Sequence, residues 1–363
     1  MKIKELLNSI DSFAPFFLQE SYDNSGIQFG DEDAEINKIV LALDVSKGSV
    51  DFAIKNGANV LLTHHPILFF ATKRITKREK PLLYKAIANG LNIIAAHTNF
   101  DIAENGLNDY VGNLLGIKKE SSLQPAAEKI YKFSFYVPRN FADSVREAVF
   151  NAGAGKIGGY DKSSFNVEGI GTFRPLEGTD PFIGEIGKLS KTEETKVETV
   201  VNERNLRKVI NALLSAHPYE EPAYDIFELK RSVNFGIGME GVLEKTYSLA
   251  DFAGFVKETL NARYVRFVGY PDASVKKVAL CTGAGSSLVE SVASMDVDVF
   301  ITGDITYHTA MRAREIGLNL IDVEHFDTEK FFACAMEERL KEVLPDNIDI
   351  MKFEDERSPF EIL

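Results

Sequence analysis

Short apolar runs alternate with segments of helical spacing through the first third of the chain. The opening residues place Ile3, Leu6, Leu7 and Ile10 on one apolar helical face. After them, the pattern predicts strands at residues 39–43, 59–63 and 92–96, and helices at 50–55, 81–89 and 107–115. Uninterrupted apolar runs between helices are typical of parallel strands that are covered on both faces.

The same rhythm returns near the C-terminal end. Strands are predicted at residues 278–281, 297–302, 318–323 and 348–353, and a long helix over 328–343. The two outer parts of the chain therefore predict an α/β fold, with a mostly parallel sheet core and helices on both faces.

The middle of the chain has a different pattern. Its segments run strand, helix, strand, strand, helix, strand, at residues 131–137, 141–151, 164–173, 196–201, 206–215 and 223–229. This order is typical of a ferredoxin-like α+β domain. We therefore predict an inserted ferredoxin-like domain at 127–234 within a discontinuous α/β core at 1–126 and 235–363. The polar or small stretches 121–129 and 231–234 suit the crossings.

Histidines and carboxylates collect after four predicted strands of the outer parts. They are His64 and His65 after 59–63, His97 and Asp101 after 92–96, Asp304 and His308 after 297–302, and His325 and Glu329 after 318–323. Because ligands bind outside the carboxyl ends of strands in an open parallel sheet, we expect all four groups at one edge of one sheet. Alone, the His64–His65 pair is more typical of a strand-end surface or of a satisfied, partly buried pair.

Together the four groups predict a site for two divalent metal ions. Imidazole and carboxylate without a nearby cysteine suit zinc, iron or manganese. Neighbouring side chains diverge along a strand, so His64 and His65 are expected to serve two ions from a loop. His325 and Glu329 stand four residues apart and would point the same way if a helix begins near residue 326. A carboxylate between the ions would offset their repulsion.

Composition narrows the classes of function. The 363 residues are 45% hydrophobic and 26% charged, as in ordinary globular proteins. A net charge of −13 disfavours general binding to nucleic acid or anionic lipid. Two cysteines, Cys281 and Cys334, are too few for a disulfide framework, and their apolar surroundings predict buried free thiols. No run could span a bilayer and no signal peptide opens the chain, so we expect a cytoplasmic location.

Two other features have less weight. Gly283 and Gly285 lie between a predicted strand and a helix, where a turn can hold an anion, although a plain tight turn is the more ordinary interpretation. The polar-aromatic segment 217–222 is more typical of an exposed turn than of a functional site near a cavity. Nucleophilic serine or cysteine catalysis has no supporting motif.

Several separated motifs resemble those of one known family, in the same order along the chain. They are Tyr22-Asp23-Asn24-Ser25-Gly26, Thr63-His64-His65-Pro66, His97-Thr98-Asn99-Phe100-Asp101, Gly303-Asp304 with Tyr307-His308, and His325-Phe326 with Thr328-Glu329. Over essentially its whole length the chain resembles the dinuclear-metal-centre family related to the Ngg-interacting factor, whose members are often described as GTP cyclohydrolase I type 2-like. Tyr22 stands where many members carry tryptophan.

The resemblance implies roles by position. It implies one ion on His65 and Asp101, a second on His64 and His325, and Glu329 as the bridge. It places around them, as lining or catalytic residues, His97, Asp304 and His308. It further implies a ring-shaped homohexamer whose sites face an internal cavity.

Two hypotheses of function follow. The first is a metal-dependent hydrolase that acts on a nucleotide such as GTP, opening the imidazole ring and releasing formate, with His97 or His308 moving protons. The second is a non-enzymatic regulatory or adaptor ring that binds metal and uses the inserted domain as a sensing surface. Neither a membrane nor nucleic acid is expected as a partner.

Overall fold

The computed structural model describes residues 1–126, 129–158, 160–230 and 235–362. The chain divides into two compact units, one formed by Met1–Ala126 with Asn234–Leu363 and the other by Ala127–Val233. The predicted crossing at 231–234 lies outside the described residues, as do residues 127 and 128 of the crossing at 121–129. Within the described residues, no helix has the length and apolar character needed to cross a membrane.

Strands and helices alternate through most of the chain, which confirms the predicted mixed α/β character. The strands are β1 (Gly26–Phe29), β2 (Lys38–Ala42), β3 (Val60–Thr63), β4 (Asn92–Ala95), β5 (Ile117–Ser121), β6 (Gln124–Pro125), β7 (Ile130–Pro138), β8 (Ser164–Phe173), β9 (Ser190–Asn202), β10 (Tyr224–Leu229), β11 (Gly236–Ile237), β12 (Met239–Ser248), β13 (Val265–Val268), β14 (Ser274–Leu280), β15 (Val299–Thr302), β16 (Leu320–Val323) and β17 (Asp349–Lys352). The helices are α1 (Ile3–Phe13), α2 (Lys47–Lys55), α3 (Pro81–Ala88), α4 (Thr98–Ile102), α5 (Leu107–Leu114), α6 (Ala142–Asn151), α7 (Glu203–Ala216), α8 (Leu249–Thr259), α9 (Val289–Ala293), α10 (Tyr307–Glu315), α11 (His325–Glu329) and α12 (Phe332–Val343).

Five strands of the first unit form one sheet, in the order β1-β4-β3-β2-β17. The strands from β4 to β17 are parallel, and β1 is antiparallel to β4. Successive residues of β2 pack into different cores, with Ile39 and Leu41 in one apolar cluster and Val40 and Ala42 in another. Because both faces are covered, this strand is an uninterrupted apolar run in the sequence.

Six strands of the same unit form a second sheet, in the order β13-β16-β15-β14-β12-β5. Strands β14, β15 and β16 are parallel, and the outer three pair antiparallel. Ile301 and Ile321 of this sheet lie in the same apolar cluster as Ile39 and Leu62 of the first sheet. One shared core therefore holds the two sheets together.

The expectation that all four groups of histidines and carboxylates share one sheet edge is wrong. Strands β3 and β4 belong to the five-stranded sheet, whereas β15 and β16 belong to the six-stranded sheet. The chain leaves the first sheet after α5, and β17 later returns to pair with β2. All four of these strands are short and fully buried, so their apolar pattern does not reveal which sheet they join.

The predicted helix over 328–343 is also wrong at its start, because the structure has two helices there. The short helix α11 ends at Glu329, and α12 begins at Phe332. Polar contacts hold α11: the Thr328 hydroxyl donates to the carbonyl oxygen of His325, and Asp327 accepts from the N–H of Arg263. A search for apolar spacing therefore misses this turn.

The second unit contains one four-stranded antiparallel sheet, in the order β10-β7-β9-β8. Along the chain its elements run β7, α6, β8, β9, α7, β10, and the two helices contact each other. Phe133, Val197 and Leu213 belong to its own apolar cluster. Strand β9 is longer than the predicted 196–201, because its first half pairs with β8 through polar and charged residues that show no apolar alternation.

Candidate metal centre

Two histidines follow β3 on a loop that is fixed to the end of β2. The N–H groups of His64 and His65 donate to the carbonyl oxygen of Leu43, at 3.2 and 3.1 Å. The Thr63 hydroxyl donates to the carbonyl oxygen of His65 at 2.9 Å. His64 is fully buried and His65 half-buried, and their ring centroids lie 5.1 Å apart.

His97 and Asp101 come from the next strand of the same sheet. His97 follows β4 and precedes α4, and Asp101 lies one turn later, where its N–H donates to the carbonyl oxygen of His97 at 3.1 Å. A ring nitrogen of His97 lies within 4.8 Å of ring nitrogens of His64 and His65. The ends of two neighbouring strands therefore bring three imidazoles and a carboxylate together.

His325 and Glu329 stand one helical turn apart on α11, after a strand of the second sheet. The Nε2 atom of His325 lies 2.8 Å from Oε2 of Glu329. Gly283, at φ +64°, makes room for this carboxylate, since a Cβ there would lie 2.1 Å from Glu329 Oε1. Position 283 thus requires glycine both for its backbone conformation and for its neighbour.

Glu329 joins the contributions of the two sheets. Its Oε2 atom lies 3.0 Å from His65 Nε2, and its Oε1 atom lies 3.7 Å from His64 Nε2. Asp101 Oδ2 lies 3.6 Å from the same His64 nitrogen. The distances thus pair His64 with Asp101 and leave His65 with His325. The family resemblance implies the opposite assignment of the two adjacent histidines.

The three histidines around Glu329 each have the second ring nitrogen fixed. The contacts are His64 Nδ1 to the Ala96 carbonyl oxygen at 2.9 Å, His65 Nδ1 to Asp44 Oδ1 at 2.8 Å, and His325 Nδ1 to Asp304 Oδ2 at 2.8 Å. Carbonyl and carboxylate oxygens accept, so each Nδ1 donates and each Nε2 is left for the centre of the cluster. Histidines that bind metal commonly have this arrangement.

The charges in the cluster shift one another's protonation. Burial would lower the pKa of His65 and of His325, but hydrogen bonds to carboxylates raise these pKa values to about 10 and about 9. Burial would raise the pKa of Glu329, yet the surrounding histidines hold it well below its ordinary value. Burial raises the pKa of Asp101 more than the neighbouring His64 lowers it. In the absence of metal, His65 and His325 are thus positively charged beside an ionised Glu329.

Two buried atoms at the centre have no hydrogen-bond partner among the described residues, namely His64 Nε2 and Asp101 Oδ1. Unpartnered buried polar atoms are uncommon in native proteins. A bound cation would satisfy both, because donors about 2.0–2.2 Å from a zinc ion lie roughly 3–4 Å from each other. Cys281 adds no thiolate, since burial raises the pKa of its thiol. These nitrogen and oxygen donors fit a divalent cation such as zinc, iron or manganese.

The structure brings Asp304 to the cluster and leaves His308 at the surface. Asp304, at φ +56°, accepts from His325. His308 is exposed in the first turn of α10, and among the described residues its ring contacts only the ring of Tyr307 and makes no side-chain hydrogen bond. Their four-residue spacing does not act as a helical pair, because α10 begins only after Asp304.

The glycine turn before α9 has a structural role. The N–H groups of Gly283 and Gly285 donate to the hydroxyls of Thr328 and Thr302, each at 2.8 Å. The turn therefore uses these donors within the chain and does not present them to an anion.

His217, in the second unit, has both ring nitrogens engaged. Its Nε2 atom lies 2.9 Å from the carbonyl oxygen of Tyr136, and its Nδ1 atom accepts from the N–H of Tyr219 at 3.0 Å. A cavity of about 530 Å³ nearby is lined by Tyr219, Glu220 and Glu221. His217 itself holds the turn in place.

Sequence reasoning missed three residues beside the cluster. Asp44 follows β2 almost as directly as His64 follows β3, so the strand-end rule applied to β2 would have found it. Asp23 lies in no predicted element and gave no such signal, although it contacts His97. Phe69 packs at 6.3 Å from the rings of both His97 and Tyr22, so aromatic side chains border the site.

The fold and the cluster define an α/β protein with a candidate metal centre at strand ends of two sheets. The family model described as Duf34/NIF3 (NGG1p interacting factor 3) matches residues 1–359. A Halalkalibacterium halodurans protein named GTP cyclohydrolase 1 type 2 homolog is 38% identical, over 94% of this chain and 92% of its own length. A Bacillus subtilis protein of the same name is 35% identical, over 99% and 98%.

Solved structures also show similarity to NIF3-related proteins over the whole chain. A Bacillus cereus protein related to NIF3 superposes with a TM-score of 0.88 at 35% identity, over 100% of this chain and 99% of that one. A Staphylococcus aureus protein superposes with a TM-score of 0.79 at 28% identity, over 100% and 99%. The chain belongs to the DUF34/NIF3 family, and the family predicted from its motifs is confirmed.

Proposed function

We propose that this chain is a metal-dependent hydrolase that holds two divalent cations around Glu329. The observation that supports this most is the pair of buried, unpartnered atoms, His64 Nε2 and Asp101 Oδ1, beside that carboxylate. One cation would sit among His64, Asp101 and Oε1 of Glu329. The other would sit among His65, His325 and Oε2. The two carboxylate oxygens, each near a different histidine, support a bridging role for Glu329.

Two divalent cations would make a bound water nucleophilic near neutral pH and polarise the group that it attacks. The names of the relatives support GTP as the substrate. Water would add at C8 of the guanine, cleavage of the C8–N9 bond would open the imidazole ring, and a second water would release formate from N7. His97 stands next to His64 and His65 and would move the protons.

The other two predicted catalytic residues differ in support. Asp304 would act by holding His325 in place, because its carboxylate accepts a hydrogen bond from Nδ1 of that ring. His308 is exposed, and among the described residues its ring has no side-chain hydrogen bond to the cluster, so we assign it no catalytic role.

We further propose that 127–234 is a ferredoxin-like domain and that the chain assembles as a homohexamer. The element order of the second unit and its strand order support the first statement. Family membership supports the second. Mass measurement in solution tests the assembly, with six chains as the expected result.

The function is tested by comparing the wild type with Glu329→Ala and with Glu342→Ala, which removes an exposed carboxylate from α12. We expect two metal ions per chain and metal-dependent formate release from GTP in the wild type and in Glu342→Ala. Glu329→Ala should lose both. Two ions without turnover of any nucleotide would reject the hydrolase and favour the metal-binding regulatory protein. No bound metal after reconstitution would overturn the metal centre.

A further inference from the structure

Asp23, just before β1, is surrounded by donors. Its Oδ1 atom accepts from His97 Nδ1 at 2.8 Å and from the N–H of Asn24 at 2.7 Å. Its Oδ2 atom accepts from the N–H of Thr98 at 3.1 Å and from the hydroxyls of Thr98 and Ser25. The side chain is fully buried. Five hydrogen bonds thus fix one carboxylate in one orientation.

This carboxylate determines which nitrogen of His97 carries the hydrogen. Burial would raise the pKa of Asp23, but the hydrogen bonds from His97 and Thr98 hold it well below its ordinary value. An ionised carboxylate only accepts hydrogen bonds. His97 Nδ1 is therefore the donor, and in the neutral ring Nε2 keeps its lone pair.

His97 lies beside two of the proposed metal ligands. Its ring centroid lies 5.0 Å from that of His64 and 5.4 Å from that of His65. A nitrogen of His97 lies within 4.8 Å of ring nitrogens of both, and Nδ1 is already bound to Asp23. Yet no side-chain hydrogen bond or ion pair joins His97 to Glu329 or Asp101 within the described residues, so it differs from the three histidines that surround Glu329.

We propose that Asp23 is a positioning residue, which holds His97 with its Nε2 lone pair toward the metal centre to accept a proton from the attacking water. This inference rests on the proposed hydrolase function. As the water oxygen bonds to C8, the C8–N7 double bond becomes a single bond, and the first water proton passes through Nε2 to N7. The remaining hydroxyl proton then passes through Nε2 to N9 as the C8–N9 bond breaks and the oxygen becomes the formyl carbonyl.

The test uses Asp23→Asn in the full-length, zinc-loaded protein. An asparagine keeps the size but also offers an N–H₂ group, so both tautomers of His97 become accessible. Because Asp23 contacts none of the five proposed ligands, we expect two zinc ions per chain as in the wild type. We expect kcat to fall about 100- to 10,000-fold, as for a wrongly oriented histidine base, and KM to change less than about threefold.

Asp44→Asn is the matched control, because Asp44 holds His65, a proposed ligand, in the same way. It should weaken zinc binding, which Asp23→Asn should not. If Asp23→Asn lowers kcat and keeps its zinc, the loss of activity comes from the misplaced His97 and not from damage to the metal site. Unchanged kcat in Asp23→Asn, or loss of zinc from it, would overturn the inference.

A second readout does not depend on activity. Solid-state ¹⁵N NMR of histidine-labelled protein distinguishes protonated from unprotonated ring nitrogens, and His97→Gln identifies the His97 signals. We expect protonated Nδ1 and unprotonated Nε2 in the zinc-loaded wild type, and a protonated Nε2 population in Asp23→Asn. Protonated or zinc-bound Nε2 in the wild type would overturn the inference. If the wild type binds zinc but turns over no nucleotide, the proposed function fails, while these spectra still decide the role of Asp23.

Discussion

Each of the two units of this chain buries a histidine beside a carboxylate, His64 in the first and His217 in the second. The hydrogen bonds of the two rings differ, and this difference distinguishes the candidate metal centre from a purely structural contact. His217 uses both ring nitrogens within its own turn. His64, equally enclosed, has one nitrogen satisfied by a carbonyl oxygen and the other without a partner. Burial alone therefore does not mark a site. The combination does, because the unsatisfied nitrogen of His64 lies 3.6–3.7 Å from two carboxylates, where a bound cation would give it a partner.

Replacement of the two histidines by alanine tests this difference most strongly. His64→Ala should remove at least one of the two metal ions, since it deletes a buried donor that only a cation would satisfy. His217→Ala should keep both ions. Elemental analysis of the two purified variants measures the effect. Equal metal content in both would contradict the distinction.

The pH dependence of stability should differ in sign between the two regions. In the metal-free protein, hydrogen bonds to carboxylates raise the pKa of His65 to about 10 and that of His325 to about 9. Their stabilisation is complete below about pH 6.5, the unfolded-state value, and is lost as the pH rises through the folded-state values. Burial lowers the pKa of His217, so its contribution is present above about pH 6.5 and is lost below it.

Denaturant unfolding of the metal-free protein between pH 5 and 10.5 measures how the unfolding free energy of each unit changes with pH. We expect the free energy of unfolding of the first unit to decline on the alkaline side by on the order of a few kcal/mol. His65→Gln should flatten that decline and leave the loss of stability of the second unit at acid pH unchanged. Metal binding near pH 7 should release protons, because the ligands must lose them. A pH-indicator titration without proton uptake or release would contradict the assignment.

Asp44→Asn should have a smaller effect on the metal centre than loss of a ligand. The variant removes the charge that orients His65 and keeps the ligand itself, so we expect metal affinity to fall about 10- to 100-fold. Competition with a chromophoric chelator measures the affinity. Asp225→Asn, a carboxylate change in the second unit, should leave it unchanged.

The smallest expected effect is on local stability in the second unit. His217→Ala leaves the carbonyl oxygen of Tyr136 and the N–H of Tyr219 without this partner. We expect a loss of about 1–3 kcal/mol in the unfolding free energy of that unit, because partly buried polar groups lose a hydrogen bond. Hydrogen exchange of Tyr219 and its neighbours should accelerate, with protection around Glu329 unchanged.

The sequence predicted where the clustered histidines lie because strand ends are visible in an apolar pattern. His64, His97 and His325 each follow a short buried run, and the structure places all three runs where they were predicted, within a few residues. The pattern did not distinguish the two sheets, since pairing depends on contacts far along the chain. It also did not separate Asp304 from His308, because that required knowing where α10 begins.

The orienting carboxylates were harder to predict than the proposed ligands. Asp44 was visible by the same strand-end rule, but Asp23 lies in an irregular segment whose position depends on hydrogen bonds to Thr98 and His97. Those bonds connect residues more than 70 positions apart. No local periodicity reports such a contact.

The discontinuity of the first unit has a consequence for the order of events during synthesis. His64, His65 and Asp101 precede the second unit, whereas His325 and Glu329 follow it. At about 5–20 residues per second, a ribosome needs roughly 10–45 s to proceed from Asp101 to His325. During this time the second unit can fold on its own core, whereas β2 still lacks its partner β17 and three of the five proposed ligands still lack the other two. Metal insertion at the proposed centre would therefore be a late event, which follows the emergence of α11 and does not template the early sheet.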